Sequence, residues 1–402
     1  MTTTVQDADV GDLQLEEPID FHAILRNAGV LAPWLRDQSD RIEAARRLPD
    51  DVVEQLRLAG CFRIHMPRSW GGPECTSLEA VHIIETIAIG DASAAWCVMI
   101  GCDSGVYSAW LDDDVARAMY PSLDMVQAGW VYPVGTATKV DGGYTVSGDW
   151  MFGSGCQHSD WLAGGCWVAE NGETAIRPDG QPEWRTVIAP RDEWEILDTW
   201  HTTGLAGTGS TDYRCRDLFV PSERTFSFQD LPKRPGTLYR SRDTLLRKMA
   251  GIPLGLARAT IDAAVATLEE KVERPLGVPY RTMPRVQAGI ARSEGLLGAA
   301  RSYLEDALGV QWERLENGEP LSPRERADVW LSRMNCFQSA RDIARTAFDL
   351  VGGSAIYTRR GPFDRYLRDA ETMCQHIVGQ EKGYEMVGAM LFTPDNTVHP
   401  ML

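Results

Sequence analysis

Three stretches of the sequence hold residue types that do chemistry. In Trp150-Met151-Phe152-Gly153-Ser154-Gly155-Cys156-Gln157-His158-Ser159-Asp160-Trp161, a serine sits between two glycines and beside large aromatics. Its hydroxyl both donates and accepts, and the glycines mark a bulge or a close backbone approach. That combination suits the polar edge of a flat ring; a strand end followed by a turn uses the same residues. The second stretch, Asp198 to Tyr213, is dense in glycine and hydroxyls, among them Thr208 and Ser210. Its backbone N–H groups and hydroxyls could hold a phosphate or a ring edge, and a flexible surface loop is the other reading. The third runs from Gly352-Gly353 through Arg359, Arg360, Arg365 and Arg368 to His376. Arginines there suit a cofactor phosphate or form a solvated basic face at helix ends. The imidazole suits proton transfer near neutral pH, or is structural.

The elements that must position these residues change character twice. From Asp20 to about Tyr120 apolar residues recur at helical spacing, with Gly60 as a stop. The apolar, small-residue run Ser77 to Gly101 predicts buried helices lining a core or pocket. Val131–Val140, a turn at Asp141-Gly142-Gly143 and Tyr144–Trp150 predict a β-hairpin, and WLAGGCWVAE, WRTVIAP and DYRCRDLFVP predict further strands. Long amphipathic helices follow, with Val286, Ile290, Leu297, Leu304 and Leu308 on one face and Met334, Phe337, Arg341, Ala344 and Phe348 on another. The expected organisation is α+β: a disordered terminus over 1–19, a helical domain over 20–125, a β-barrel or sandwich over 126–235 and a four-helix bundle over 236–402.

Composition narrows the function. A net charge of −17 repels phosphate backbones and anionic lipid, so neither nucleic acid nor a membrane is an expected partner. No apolar run of transmembrane length stands out, and the acidic N-terminus lacks signal-peptide character. Nine scattered cysteines without metal-like spacing point to reduced thiols in the cytoplasm and to no metal. Rossmann, P-loop, HExxH and GxSxG patterns are absent.

Taken with the domain order, the motifs WMFGSGCQHSDW, DTWHTTGLAGTGSTDYRCRDLFVP and VGGSAIYTRRGPFDRYLRDA resemble the acyl-CoA dehydrogenase superfamily over about Phe21–Gly388. The family's dehydrogenases use a glutamate base after the Arg-Asp-Ala run. Here Ile377 occupies that place, and isoleucine takes no proton. The preceding His376 is similar to a histidine of the two-component flavin monooxygenase branch. That resemblance implies an oxygenase that borrows reduced FAD or FMN from a separate flavin reductase. With O2 it forms a C4a-(hydro)peroxyflavin and hydroxylates a small aromatic or heteroaromatic molecule, a phenol, indole or polycyclic. A homotetramer is implied as well.

The resemblance also assigns residues. Ser154 approaches flavin N5 or O4 and acts with His376 in catalysis. Trp150 and Phe152 flank the ring, and Trp130, Tyr132 and Pro133 lie along it, in a segment replacing the dehydrogenases' flavin loop. Thr208 and Ser210 face the flavin or substrate edge. Gly352 and Gly353 meet a neighbouring subunit's flavin diphosphate, with Arg274 or Arg281 as the phosphate arginine. Asp103, beside Cys102, falls where related hydroxylases carry a phenol-binding histidine, which leaves room for an indole, an amine or a polycyclic; capping a helix is its other reading. Three alternatives stay open: an amine or amino-sugar N-oxygenase, a dehydrogenase with a displaced base at Glu381 or Asp369, and a non-catalytic binding protein.

Overall fold

The helical pattern at the N-terminus resolves into α1 (Phe21–Ala45), α2 (Asp50–Leu58), α3 (Ser77–Gly90), α4 (Ala92–Gly101), α5 (Ser104–Tyr107) and α6 (Asp113–Met119). In this computed structural model the described residues are 13–393, apart from 242 and 275. The Asp20 carboxylate accepts from the Ala23 N–H and starts α1. The long pattern breaks at Arg46, in the left-handed region (φ 53°), and again at the expected Gly60 (φ 78°). The Thr76–Glu79 capping box opens α3. Residues 13–19 depart from the expected disorder. The Glu16 N–H donates to Asn27 Oδ1 (2.8 Å), its carboxylate pairs with Arg26, and Leu13 and Leu15 pack on the helical core. The rest of the expected disordered terminus, 1–12, lies outside the described residues.

The middle of the chain forms one sheet from β1 (Gln127–Val140), β2 (Gly143–Gly153), β3 (Trp161–Glu170), β4 (Glu173–Thr174), β5 (Trp184–Pro190), β6 (Glu195–Ile196), β7 (Thr211–Pro221) and β8 (Thr225–Phe226). Its order is β6-β7-β2-β1-β3-β5-β8, with β4 on β3. The expected hairpin turn is Asp141-Gly142, with Gly142 at φ 76°. The expected β domain is built on a single sheet, with an aromatic cluster in its core. Trp150 is fully buried there, stacked on Tyr213 (centroids 5.8 Å) and edge-on to Trp194 (5.2 Å). Its indole N–H donates to the Gly165 carbonyl (2.9 Å). Trp150 therefore belongs to the sheet core and does not flank a cofactor ring.

The C-terminal region comprises α7 (Gly251–Glu270), a short hairpin of β9 (Val272–Glu273) and β10 (Val278–Pro279), α8 (Pro284–Asn317), α9 (Pro323–Val351), α10 (Phe363–Met373) and α11 (Glu381–Phe392). Of the expected core faces, Val286, Leu297, Leu304, Leu308, Met334, Phe337 and Ala344 are buried, while Ile290, Arg341 and Phe348 are half-buried. Helix α9 is central and packs against α7, α8, α10 and α11. The helical stretch Arg247–Glu270 is, contrary to expectation, long and apolar enough to cross a membrane; 72% of its apolar window is buried against the rest of the fold. Helix α3 lies on both α1 and α7, so the N-terminal helices and the bundle share one core.

Removing the indole that fills the sheet should be costly. Trp150→Ala is expected to lower unfolding free energy by about 3–5 kcal/mol, read as a shift of the denaturant midpoint.

Candidate active site

The serine between glycines and the hydroxyl-rich loop come together. Ser154 follows the end of β2, where Phe152 takes a left-handed backbone (φ 58°) that a side chain ordinarily avoids. The Gly155 N–H donates to the Thr208 carbonyl (3.0 Å) and ties this turn to the loop. Ser154 and Ser210 share a hydrogen bond between hydroxyls (2.6 Å), as do Ser210 and Thr208 (2.6 Å). All three residues are buried.

The ends of this chain set its direction. The Thr208 hydroxyl donates to the Leu205 carbonyl (2.8 Å), so its oxygen receives the Ser210 proton. Ser210 in turn receives the proton of Ser154. At the other end, the Trp96 indole N–H donates to Ser154 Oγ (3.1 Å). Each hydroxyl has one proton to give, so Ser154 has spent its own and faces outward as an acceptor.

Trp96, on α4, also touches the bundle. The ring of His376 stands edge-on to it, with centroids 5.6 Å apart. His376 lies just beyond α10, in a turn seated on α9. Cys374 Sγ approaches the Phe337 carbonyl (3.4 Å), and the Gln338 amide donates to the Gly379 carbonyl (2.6 Å). Burial, helped by the Arg333 charge, pushes the imidazole down to about 4. This corrects the expectation of titration near neutral pH: the ring is neutral there. The Val378 N–H points at Nδ1 (3.4 Å), which places the remaining proton on Nε2.

The proposed displaced bases are not free. Asp369 is buried and accepts from the Leu205 N–H (2.6 Å), clasping the hydroxyl-rich loop to α10. Burial raises its carboxyl to about 7, with nearby Asp91 adding to the rise and Arg365 and Arg368 opposing it. Glu381 is exposed at the start of α11. Of the motif arginines, Arg368 pairs with Glu43 and Asp364, and Arg365 with Asp40.

A row of aromatics borders Ser154. Phe152, half-exposed at 51%, lies 5.9 Å from Trp130 and 6.3 Å from Trp200 between ring centroids. Strand β1 is bulged between Trp130 and Gly135, where its register on β3 shifts. The bulge exposes Tyr132 and buries Pro133. The Trp130 backbone N–H donates to the Tyr213 hydroxyl (2.6 Å), and its indole N–H is buried without an acceptor. Flat aromatics, an unpaired indole donor and the accepting Ser154 oxygen fit the isoalloxazine ring of a reduced flavin, which is apolar on its faces and carries N–H and C=O groups on its edge.

Asp103 and Cys102 are fully enclosed. Asp103 is held by Lys248 (2.5 Å), with burial lifting its carboxyl to about 6. Its side chain makes no helix cap. His65, Cys102 and Asp103 lie close enough to share a metal ion, but the Lys248 ammonium already occupies the carboxylate. Arg281, Gly352 and Gly353 lie at another place, near the C-terminal end of α9, and Arg274 lies in the turn between β9 and β10. Lys271 donates to Ser354 (3.1 Å), Arg281 to the Glu269 carbonyl (2.9 Å), and Gly352 ends α9. That end is about 27 Å along α9 from Arg333 at 1.5 Å per residue. Within one chain the Gly352-Gly353 end of α9 lies far from the turn that carries His376, which is seated near Phe337 and Gln338. The pattern reading missed Trp96, Trp200 and Arg333. A lone arginine amid the buried residues of α9 was the available signal for the last.

Comparison with known proteins identifies the family and the fold. Residues 30–112 match the family model for the acyl-CoA dehydrogenase N-terminal domain and residues 248–381 that for the C-terminal domain, together over half of the chain. The indole-3-acetate monooxygenase of Pseudomonas putida is 29% identical over 367 residues, 90% of this chain and 92% of that protein. The flavin-dependent monooxygenase oxygenase subunit HsaA of Rhodococcus jostii is 27% identical over 378 residues, 90% and 97% of the two chains. The solved structure of XiaF from a Streptomyces species, in complex with FADH2 and glycerol, is 21% identical. It superposes with a TM-score of 0.85 over 95% of this chain and 98% of that one.

The Asp369 clasp has a testable sign. A carboxyl raised in the folded state loses stability as pH climbs from about 4, its unfolded value, through about 7. Asp369→Asn keeps an oxygen acceptor for Leu205, so it should match the parent at pH 5 and equal or exceed it at pH 8. Asp369→Leu leaves the N–H unpaired and should cost about 1–3 kcal/mol at both. Denaturant unfolding at the two pH values decides.

Proposed function

The chain belongs to the acyl-CoA dehydrogenase superfamily, and from that premise we propose that it is the oxygenase component of a two-component flavin-dependent monooxygenase that hydroxylates a small aromatic or heteroaromatic substrate. The observation that carries this reading is the neutral His376 edge-on to Trp96, whose indole bonds Ser154, where a dehydrogenase needs a carboxylate and this chain has Ile377. The relatives named indole-3-acetate monooxygenase and oxygenase subunit HsaA support the aromatic class and the dependence on a separate reductase. The cofactor is reduced flavin, FAD or FMN, and the co-substrate O2. The buried, unpaired thiols support a reducing cytoplasm. A homotetramer would bring Gly352, Gly353 and Arg274 or Arg281 of one subunit to a neighbour's flavin.

Reduced flavin, when bound, supplies the two electrons that activate O2 and retains an N–H at N5. Ser154 would accept from that N–H, because Trp96, Ser210 and Thr208 fix its hydroxyl as an acceptor. Trp130, Phe152 and Trp200 would cover the ring and keep water off. His376 holds its proton on Nε2 and would present it to an oxygen that gains negative charge. A neutral imidazole serves as such a donor, the role tuned histidines play elsewhere. Burial makes it a weak base, so donation is favoured over removal of a substrate proton.

Two outcomes test these roles. His376→Gln keeps an N–H donor and should retain a substantial part of coupled hydroxylation, while His376→Ala should divert reduced flavin and O2 to hydrogen peroxide. Wild-type coupling should stay flat from about pH 6 to 8, and an inflection near 6.5 that vanishes in both variants would favour a titrating base instead. Ser210→Ala releases the Ser154 proton. It should weaken reduced flavin several-fold in anaerobic titration while leaving oxidised flavin less affected; equal losses would refute the acceptor assignment.

A further inference from the structure

The turn that carries His376 is pressed against α9 at both ends. Before the histidine, Cys374 Sγ approaches the Phe337 carbonyl (3.4 Å). After it, the Gln338 side-chain amide donates to the Gly379 carbonyl (2.6 Å). The two contacts use neighbouring residues of one helix. Gly379 fits there because it has no side chain: a Cβ would stand 3.0 Å from Cys374 Cα and 3.2 Å from the Phe337 ring. Within the turn, the His376 carbonyl accepts from the N–H groups of Gly379 (2.7 Å) and Gln380 (3.1 Å). Gly379 therefore gives its N–H to His376 and its carbonyl to Gln338.

Gln338 is oriented in turn by Arg341. The two lie three residues apart on one face of α9, and the guanidinium donates to the Gln338 amide oxygen. A guanidinium only donates, so the amide turns its oxygen to Arg341 and its NH2 to Gly379. The flipped amide would set donor against donor at one end and oxygen against oxygen at the other. Arg341 Nε is buried without an acceptor. Its charge acts on Cys374, two residues before His376, and on Tyr384 of α11. What this arrangement holds in place is the Val378 N–H. It meets His376 Nδ1 at 3.4 Å, near the limit of a hydrogen bond, so alone it fixes the ring poorly. It stays there because the turn is closed on the His376 carbonyl and tied to α9 on either side. Which ring nitrogen carries the proton is set by the partner of the other.

We propose that Gln338, oriented by Arg341, is the positioning residue that keeps the Val378 N–H on His376 Nδ1 and the ring proton on Nε2. This rests on the monooxygenase reading for the use made of that proton, but not for the tautomer itself. Gln338 touches neither flavin nor substrate; it acts through the turn.

The test is nuclear magnetic resonance on the full-length protein labelled with 15N at histidine, with His376→Gln identifying the His376 signals. At pH 8 the wild type should show a protonated Nε2 and a bare Nδ1. In Gln338→Met the two signals should move towards each other as the tautomers mix. Gln338→Glu keeps a partner for Arg341 but sets an oxygen against the Gly379 carbonyl. It should behave like Gln338→Met, although its ion pair supports the fold. Arg341→Lys keeps a donor and should stay near the wild type, while Arg341→Met frees the amide to flip and should fall between. Melting temperatures report folding. Reduced FMN should bind each variant within about 2-fold of the wild type in anaerobic titration, because Ser154 and its hydroxyl partners are untouched. A protonated Nδ1 in the wild type overturns the proposal, as does an unchanged tautomer in Gln338→Met whose only defect is a lower melting temperature. Mixing the reduced FMN complexes with O2 and following hydrogen peroxide tests the monooxygenase reading separately. The wild type should delay peroxide relative to free reduced FMN, and Gln338→Met should release it about 10-fold faster than the wild type, a fraction of what a positioned proton donor contributes. Equal release with and without the wild-type protein would sink the monooxygenase assignment and leave the tautomer result standing.

Discussion

The hydrogen bond from the Trp96 indole to the Ser154 hydroxyl holds the centre of this molecule together. It joins a helix of the N-terminal region to the end of a sheet strand, and the same indole meets the His376 ring carried by the bundle. Three parts of the chain, separated by 58 residues on one side and far more on the other, converge on a single side chain. A buried indole N–H is stabilised by an acceptor. A serine oxygen offers one only if its own proton goes elsewhere. Ser210, Thr208 and the Leu205 carbonyl provide that destination, and so the hydroxyl-rich loop is drawn into the same arrangement.

The loop is held from the other side by Asp369. Its carboxylate takes the Leu205 N–H while the Leu205 carbonyl ends the hydroxyl relay. One residue thus receives from the relay and gives to the clasp, so α10, which leads into His376, and the strand end that carries Ser154 are positioned through a shared peptide. The arginines that surround Asp369 serve this junction. Arg365 and Arg368 bridge to Asp40 and Glu43 of α1, which accounts for two of the four arginines of the C-terminal run.

Polarity in the site is divided between two regions. Around Ser154 the groups are neutral, aromatic or hydroxylic, suited to a flat ring with a few polar edge atoms. Around Arg333 they are charged and almost wholly enclosed. The His376 ring, edge-on to Trp96, is kept neutral by burial and by the charge of Arg333. A neutral imidazole with its proton directed by the Val378 N–H is a donor of fixed orientation. Phe152, held with a left-handed backbone at the rim, marks where local conformational preference gives way to this arrangement.

Much of the architecture was legible beforehand. Period and punctuation located the strands WLAGGCWVAE and WRTVIAP at their observed bounds, because alternation and flanking turns are local properties. Ser154, Ser210, Thr208 and His376 were legible as chemistry by residue type and by resemblance. What a strand pattern could not say is which face Trp150 presents, and it went to the sheet interior. Nor could spacing reveal that Asp103 would be met by Lys248, or that Asp369 would reach Leu205 across 164 residues. The sequence by itself determined the order of helices and strands, the loss of a carboxylate base at Ile377 and the presence of an imaginable hydroxyl cluster. Only the tertiary structure decided which charges cancel, which proton each hydroxyl gives away and that Arg247 and Arg333 share the carboxylate of Asp243. Those outcomes depend on burial and on pairings between distant residues, and neither is encoded in local periodicity.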